Sequence, residues 1–146
     1  MGLQEYKEFI HFGLTSQDIN NTAIPLSLKE FSKTILTKNI DSLLETLKEL
    51  ADKTKDISII SRTHGQPASP TKLGKEIFVF ITRIQHQYED FKKIPFASKF
   101  AGATGNFNAH LVSYPDIDWK TFANEFVEKT LGLSYSYPTT QIEHYD

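Results

Sequence analysis

Apolar residues recur every three or four positions over long stretches of this chain, the spacing that lines up one face of a helix. Ile40, Leu43, Leu44, Leu47 and Leu50 form one such stripe, with Asp41, Glu45, Lys48 and Glu49 on the other faces. Upstream, Thr15-Ser16-Gln17-Asp18 has the form of a helix start, a hydroxyl followed three residues later by an acid suited to the first turn. A helix is expected from there toward residue 53, with a kink or break at Pro25, which lacks the N–H a helix interior needs. Leu73, Ile77, Phe80, Ile81, Ile84, Tyr88 and Phe91 form a second stripe over about 71–93, announced by Ser69-Pro70-Thr71 and closed by Pro95. Gly74 within it allows a neighbour to come close. Asp118 is the expected cap of a third helix, with Trp119, Phe122, Phe126, Val127 and Leu131 as its apolar face and Gly132 as its stop. Tyr6, Phe9, Ile10 and Phe12 suggest a short helix or helix end before Gly13. From Ser134 the tail begins extended, and Gln141 to Asp146 has the look of a further helix start. No run alternates like the strand of a sheet, so the expected fold class is all-α, with long amphipathic helices joined by polar loops. The stripes exceed what this chain alone can cover, which points to further chain, oligomerisation or both.

One interruption is unlike the others. Ile57 to Ile60 is a short β-branched run leading into Ser61-Arg62-Thr63-His64-Gly65-Gln66-Pro67-Ala68, which gathers an imidazole, two hydroxyls, an amide and a guanidinium. It reads as a shaped polar loop between helices, a place where chemistry is commonly put. The plainer alternative is a His64 that caps or bridges two helices. Two more polar clusters stand far away in sequence, Thr15-Ser16 and Thr139-Thr140-Gln141. A helix start with two hydroxyls suits an anion, since its amides and dipole favour negative charge; an ordinary cap and a surface Gln are the competing readings. Phe100 to Asn106 is small, Gly-rich and turn-forming, and Asn106 and Asn108 are expected to fix that turn. His110 is expected to pack or bond near it, and His86 to be solvated, while His11 and His144 stay undecided.

Composition narrows the function classes. The 146 residues suffice for one domain with a core of its own, although the hydrophobic share of 39% is slightly low. Lys+Arg 16 against Asp+Glu 18 leaves a net charge of −2, so no nucleic-acid partner is expected. There is no cysteine, hence neither disulfide nor thiolate chemistry. No metal or cofactor is expected, since no His-Glu-x-x-His, EF-hand, Walker or dinucleotide-glycine pattern occurs. A Ser-His-acid triad is not ruled out, but there is no nucleophile elbow. No long uncharged apolar run and no leader-like start occur, so a soluble cytoplasmic protein with no membrane association is expected.

Four segments, in order, carry a family resemblance: His11-Phe12-Gly13-Leu14-Thr15-Ser16-Gln17-Asp18-Ile19-Asn20, Ser61 to Pro70, Gly102-Ala103-Thr104-Gly105-Asn106-Phe107-Asn108-Ala109-His110 and Tyr137-Pro138-Thr139-Thr140-Gln141-Ile142-Glu143. Together they resemble adenylosuccinate lyase of the fumarase/aspartase superfamily, with the Asn-Phe-Asn-Ala-His stretch like that of the bacterial-type enzymes. The resemblance implies a helical fragment, residues 1–146, from the start of the central helical domain, with an N-terminal part upstream and the rest of the bundle downstream. It implies β-elimination of fumarate from adenylosuccinate, giving AMP, and from succinyl-aminoimidazole-carboxamide ribotide, in purine biosynthesis. His64 matches the family's catalytic acid; Thr15, Ser16, Thr63 and Gln141 match its substrate-contacting residues, and His11 a position near the ligand in some relatives. The partners implied are a nucleotide substrate and copies of the full-length chain in a homotetramer. Two departures stand out: Pro25 within a helix, and His144-Tyr145 where relatives often have Pro-His. The serine taken as general base in the family is expected beyond residue 146, so this segment alone is expected to be inactive. The rival readings are another lyase of the superfamily, such as argininosuccinate lyase, and a non-catalytic helical interaction domain.

Overall fold

The computed structural model describes residues 2–143, so the second half of the expected terminal helix start, His144 to Asp146, lies outside the described residues. The chain folds as two units, Ser32–Ile94 and Met1–Phe31 with Pro95–Asp146.

In the Ser32–Ile94 unit the two predicted stripes meet. A π-helical segment, Ser32–Leu36, leads into helix α2 (Thr37–Lys53), and helix α3 spans Leu73–Lys93. Helix α1 (Ser16–Phe31) precedes them in the other unit. Leu44 and Ala51 of α2 and Ile81 of α3 are buried together, with Ile40, Leu47, Ile77 and Ile84 packed around them. Gly74 makes the expected close approach: a Cβ there would run into the Ala51 carbonyl oxygen and lie 2.7 Å from the Lys55 Cα. Helix α3 stops one residue before Ile94-Pro95, with Ile94 already extended. Leu43, Leu50 and Phe80, counted in the stripes, stay exposed in this unit, as do Phe78 and Val79.

Between α2 and α3 the structure corrects the all-α expectation. Strand β1 (Ser58–Thr63) and strand β2 (Gln66–Lys72) form an antiparallel hairpin where a polar loop was expected. Ser58 faces Lys72 and Thr63 faces Gln66, with an irregularity in the register between Ile60 and Arg62. Pro67 and Pro70 lie in β2 and offer no backbone donor. The molecule is thus mainly helical with a hairpin inserted.

In the other unit a 3-10 segment, Gln4–Phe9, precedes helix α1 (Ser16–Phe31). Helix α1 passes through Pro25 without the expected break, and Pro25 is buried. The face it buries is polar: Asp18 and Asn21, with Thr22 half-buried beside them. Strand β3 (Ala97–Ser98) follows, then helix α4 (Asn108–Ser113) and helix α5 (Trp119–Glu125), the latter continued by a π-helical segment, Phe126–Thr130. Strand β4 (Ser134–Tyr135) pairs in parallel with β3. Asp118 caps α5 as expected, its Oδ1 accepting the Thr121 N–H at 3.0 Å and its Oδ2 the Thr121 hydroxyl at 2.7 Å. These bonds, the backbone one first, hold the Asp118 carboxyl below its ordinary range. Gly132 has φ +65°, the left-handed stop its position called for. Helix α4 was not foreseen; the sequence suggested only a turn there. The core is Ala101, Phe107, Trp119 and Ala123, with Phe12, Phe100 and Tyr135 against it. Among the described residues no helix is long and apolar enough to cross a membrane.

Candidate active-site residues

The hairpin sets the position of Thr63 and His64. His64 has φ +49° and Gly65 φ +77°, so the two residues joining the strands both adopt the left-handed conformation of a type I′ hairpin turn. Such a turn matches the twist of the strands, and Gly65 adopts its angle without a Cβ penalty. His64 bears the strain of a β-carbon there, about 1–2 kcal/mol for a residue in this region. Around Gly65 a Cβ would meet nothing within 4 Å. The Arg62 guanidinium donates to the Gly65 carbonyl at 3.4 Å. His64 is exposed and its imidazole neither caps nor bridges the helices; among the described residues it makes no hydrogen bond. Its ring nitrogens are therefore available to a ligand.

Thr15, Ser16 and Gln141 belong to the other unit, and a buried ion pair ties their segments together. Asp18 Oδ2 accepts the Thr15 N–H at 2.9 Å, the acid-to-backbone half of a capping box. The Thr15 hydroxyl makes no such bond, so the Thr15 and Ser16 side chains remain unused by the cap. Asp18 also accepts the N–H of Ala101 at 3.0 Å and of Gly102 at 3.1 Å. Lys99, fully buried, places its ammonium 2.9 Å from Asp18 Oδ1. The same ammonium donates to the carbonyls of Gly102 at 2.6 Å and Gln141 at 2.7 Å. One turn along α1, Asn21 Oδ1 accepts the Glu143 N–H at 3.0 Å. Thr22 and Ser98 share a hydroxyl–hydroxyl bond of 2.8 Å. Gly105 lies against Thr139: an added Cβ would be 2.7 Å from its carbonyl carbon and 2.9 Å from the Thr140 oxygen. The helix start, the Gly-rich turn and the Thr139–Gln141 segment are one joined assembly, and removing one member of a buried pair typically costs about 3–5 kcal/mol.

His110 sits beside that assembly, 1% exposed, enclosed by Phe12, Phe100, Phe107 and Trp119 with ring centroids 4.7–5.8 Å away. Among the described residues neither ring nitrogen has a hydrogen-bond partner. Burial pushes its pKa below the ordinary value, against a smaller upward pull from Asp18. His110 packs as the sequence suggested, and His86 is exposed as expected. His11 is exposed as well.

The family model described as Lyase matches residues 1–146. The chain belongs to the Lyase family. It is 54% identical over 143 residues to adenylosuccinate lyase of Dictyostelium discoideum, covering 95% of this chain and 30% of that protein. To adenylosuccinate lyase of Vibrio cholerae serotype O1 it is 44% identical over 144 residues, covering 99% of this chain and 32% of the relative. Its fold is that of 3-carboxy-cis,cis-muconate lactonizing enzyme from Pseudomonas putida, with a TM-score of 0.79 at 23% identity, over 93% of this chain and 30% of the other. The chain therefore spans about a third of the length of these relatives.

Within this Lyase-family chain, sequence reasoning passed over Lys99 and gave Asp18 only a capping role. A signal was present. Lys99 is the single charge in Pro95-Phe96-Ala97-Ser98-Lys99-Phe100-Ala101, an otherwise apolar and small-residue run. Asp18, Asn21 and Thr22 recur at helical spacing as a polar stripe. A lone charge among apolar neighbours and a polar stripe on a helix are complementary marks of a buried pair.

Proposed function

We propose that this chain is part of an adenylosuccinate lyase, contributing to its central helical domain, and that the whole enzyme releases fumarate from adenylosuccinate and from succinyl-aminoimidazole-carboxamide ribotide. The observation that carries the reading is identity of 54% and 44% with relatives so named, over nearly all of this chain. In the reaction a base takes the proton from the carbon next to a carboxylate, and the electron pair spreads into that carboxylate as an aci-carboxylate. The pair then forms the carbon–carbon double bond of fumarate as the carbon–nitrogen bond breaks, and an acid protonates the departing nitrogen. His64 is that acid, imidazole being a side chain suited to proton delivery at neutral pH. Its exposed place at the hairpin tip, with both ring nitrogens unengaged, supports the assignment. Thr15, Ser16, Thr63 and Gln141 contact the substrate, the first two at a helix start whose amides favour an anionic group. No base is assigned to a residue of this chain. The full-length protein is a homotetramer; the exposed Phe78, Val79 and Phe80 on α3 supply apolar surface for such an assembly.

The test is made in the full-length protein. His64→Ala should lower the rate of fumarate release from adenylosuccinate by roughly 10²–10⁴-fold, the usual worth of a positioned acid, with smaller change in substrate affinity. Wild-type turnover in a folded His64→Ala enzyme would overturn the assignment. A wild-type protein inactive on adenylosuccinate would overturn the substrate.

A further inference from the structure

Resting on that reading, we propose that the buried Asp18–Lys99 pair is a positioning device that holds the Gln141 segment in register with the Thr15-Ser16 helix start, and so sets substrate affinity without touching substrate.

The geometry leaves the pair no direct contact with a ligand. A lysine ammonium has three donors. All three are taken, by Asp18 Oδ1 at 2.9 Å, the Gly102 carbonyl at 2.6 Å and the Gln141 carbonyl at 2.7 Å. The Asp18 carboxylate receives Lys99 and the N–H groups of Thr15, Ala101 and Gly102. Both side chains are fully buried. Every polar partner is internal, so neither residue has a donor or acceptor left for a ligand. What the pair does is join three backbone segments that are distant in sequence. Thr15 reaches Gln141 through only two side chains: Thr15 N–H to Asp18, Asp18 to Lys99, Lys99 to the Gln141 carbonyl.

This arrangement fixes backbone and frees side chains. Asp18 satisfies the Thr15 amide, leaving the Thr15 and Ser16 hydroxyls clear of the cap. Lys99 holds Gln141 by its carbonyl, leaving its carboxamide exposed. Two charges could be buried in such a place only if both are paired and hydrogen-bonded. An apolar pair would fill the volume equally well but could not grip two carbonyls and three amides in defined directions.

The experiment uses the full-length enzyme. Lys99→Met leaves Asp18 buried and unpaired, and the protein can fail to fold for that reason alone. The informative variant is therefore Asp18→Asn with Lys99→Met, which removes both charges yet leaves one side-chain oxygen to accept the Ala101 and Gly102 amides. Its Gln141 carbonyl has no donor. Losing a charge-assisted hydrogen bond should raise KM about 10- to 100-fold, with kcat per folded enzyme changed far less. Hydrogen exchange of the Glu143 amide, which donates to Asn21 Oδ1, should quicken in parallel. If the pair only stabilises the fold, the folded double variant keeps the wild-type KM and wild-type exchange there, and the proposal is overturned. If the wild-type enzyme does not use adenylosuccinate, the functional reading fails by itself. Exchange then decides the tether: faster exchange in the double variant supports it, and unchanged exchange rejects it.

Discussion

The two groups of candidate residues are held by opposite means. On the hairpin, His64 and Thr63 are placed by backbone conformation alone, at a two-residue turn in open space. In the other unit, Thr15 and Gln141 are placed by a buried charge pair whose hydrogen-bonding capacity is fully used. The contrast suits the tasks assigned to them. A proton donor must reach a ligand with free ring nitrogens, so its support comes from the main chain. Residues that define a binding surface gain from a rigid frame, and rigidity here comes from interactions that would be costly to break.

Glycine substitutions test that contrast most sharply. Gly105 and Gly65 have nearly the same φ, +79° and +77°. A Cβ at Gly105 would strike the backbone of Thr139 and Thr140, whereas at Gly65 it meets nothing. Gly105→Ala should therefore destabilise the protein by about 2–3 kcal/mol, from overlap added to backbone strain. Gly65→Ala should cost about 1 kcal/mol, from strain alone. Denaturant midpoints of the two variants would measure this, and equal losses would break the comparison.

A smaller effect is expected at His110. His110 is buried and its pKa is depressed, so the unfolded chain binds its proton at a higher pH than the folded one. Between the ordinary value and the depressed one the unfolded state holds more protons, and stability rises with pH. Its contribution is fully present above the ordinary value of 6.5 and is lost as pH falls through the lower, folded value. Unfolding followed from pH 7.5 down to 5 should show falling stability, with a shallower slope in His110→Leu.

The smallest expected change in stability is at Thr15. The capping bond is made by its N–H and not its hydroxyl, so Thr15→Val keeps it. Thermal unfolding should stay within about 0.5 kcal/mol of wild type, the range of an ordinary surface change, while KM for adenylosuccinate rises. A large loss of stability would mean that the hydroxyl caps the helix after all.

Much of this architecture was legible from local chemistry. Pro95, Asp118 and Gly132 mark helix ends because their effects act within a turn. Gly74 marks a close approach that only a missing Cβ permits. The hairpin was hidden because β2 reads Gln-Pro-Ala-Ser-Pro-Thr-Lys, with two prolines and no alternation of apolar residues. Its pairing depends on the turn at His64-Gly65, and a left-handed histidine has no mark in sequence. Pro25 misled for a related reason. The rule that proline breaks helices concerns a helix on its own, and α1 is clamped at Asp18 and Asn21 by partners far along the chain. Those ties were the least visible part of the candidate site, since the periodicity sought was apolar and the one that mattered was polar.

The division of the chain also bears on how it is made. Residues 32–94 are inserted between the two parts of the unit that holds the ion pair. During synthesis Asp18 leaves the ribosome long before Lys99, and Gln141 follows a further 42 residues on. The inserted helices and hairpin rest on near-neighbour contacts and can close early. The first helix must wait, its carboxylate hydrated, until its cation and then its last carbonyl arrive. Joining of the Thr15, Gly102 and Gln141 segments is thereby a late event, set by translation of the final residues of this stretch.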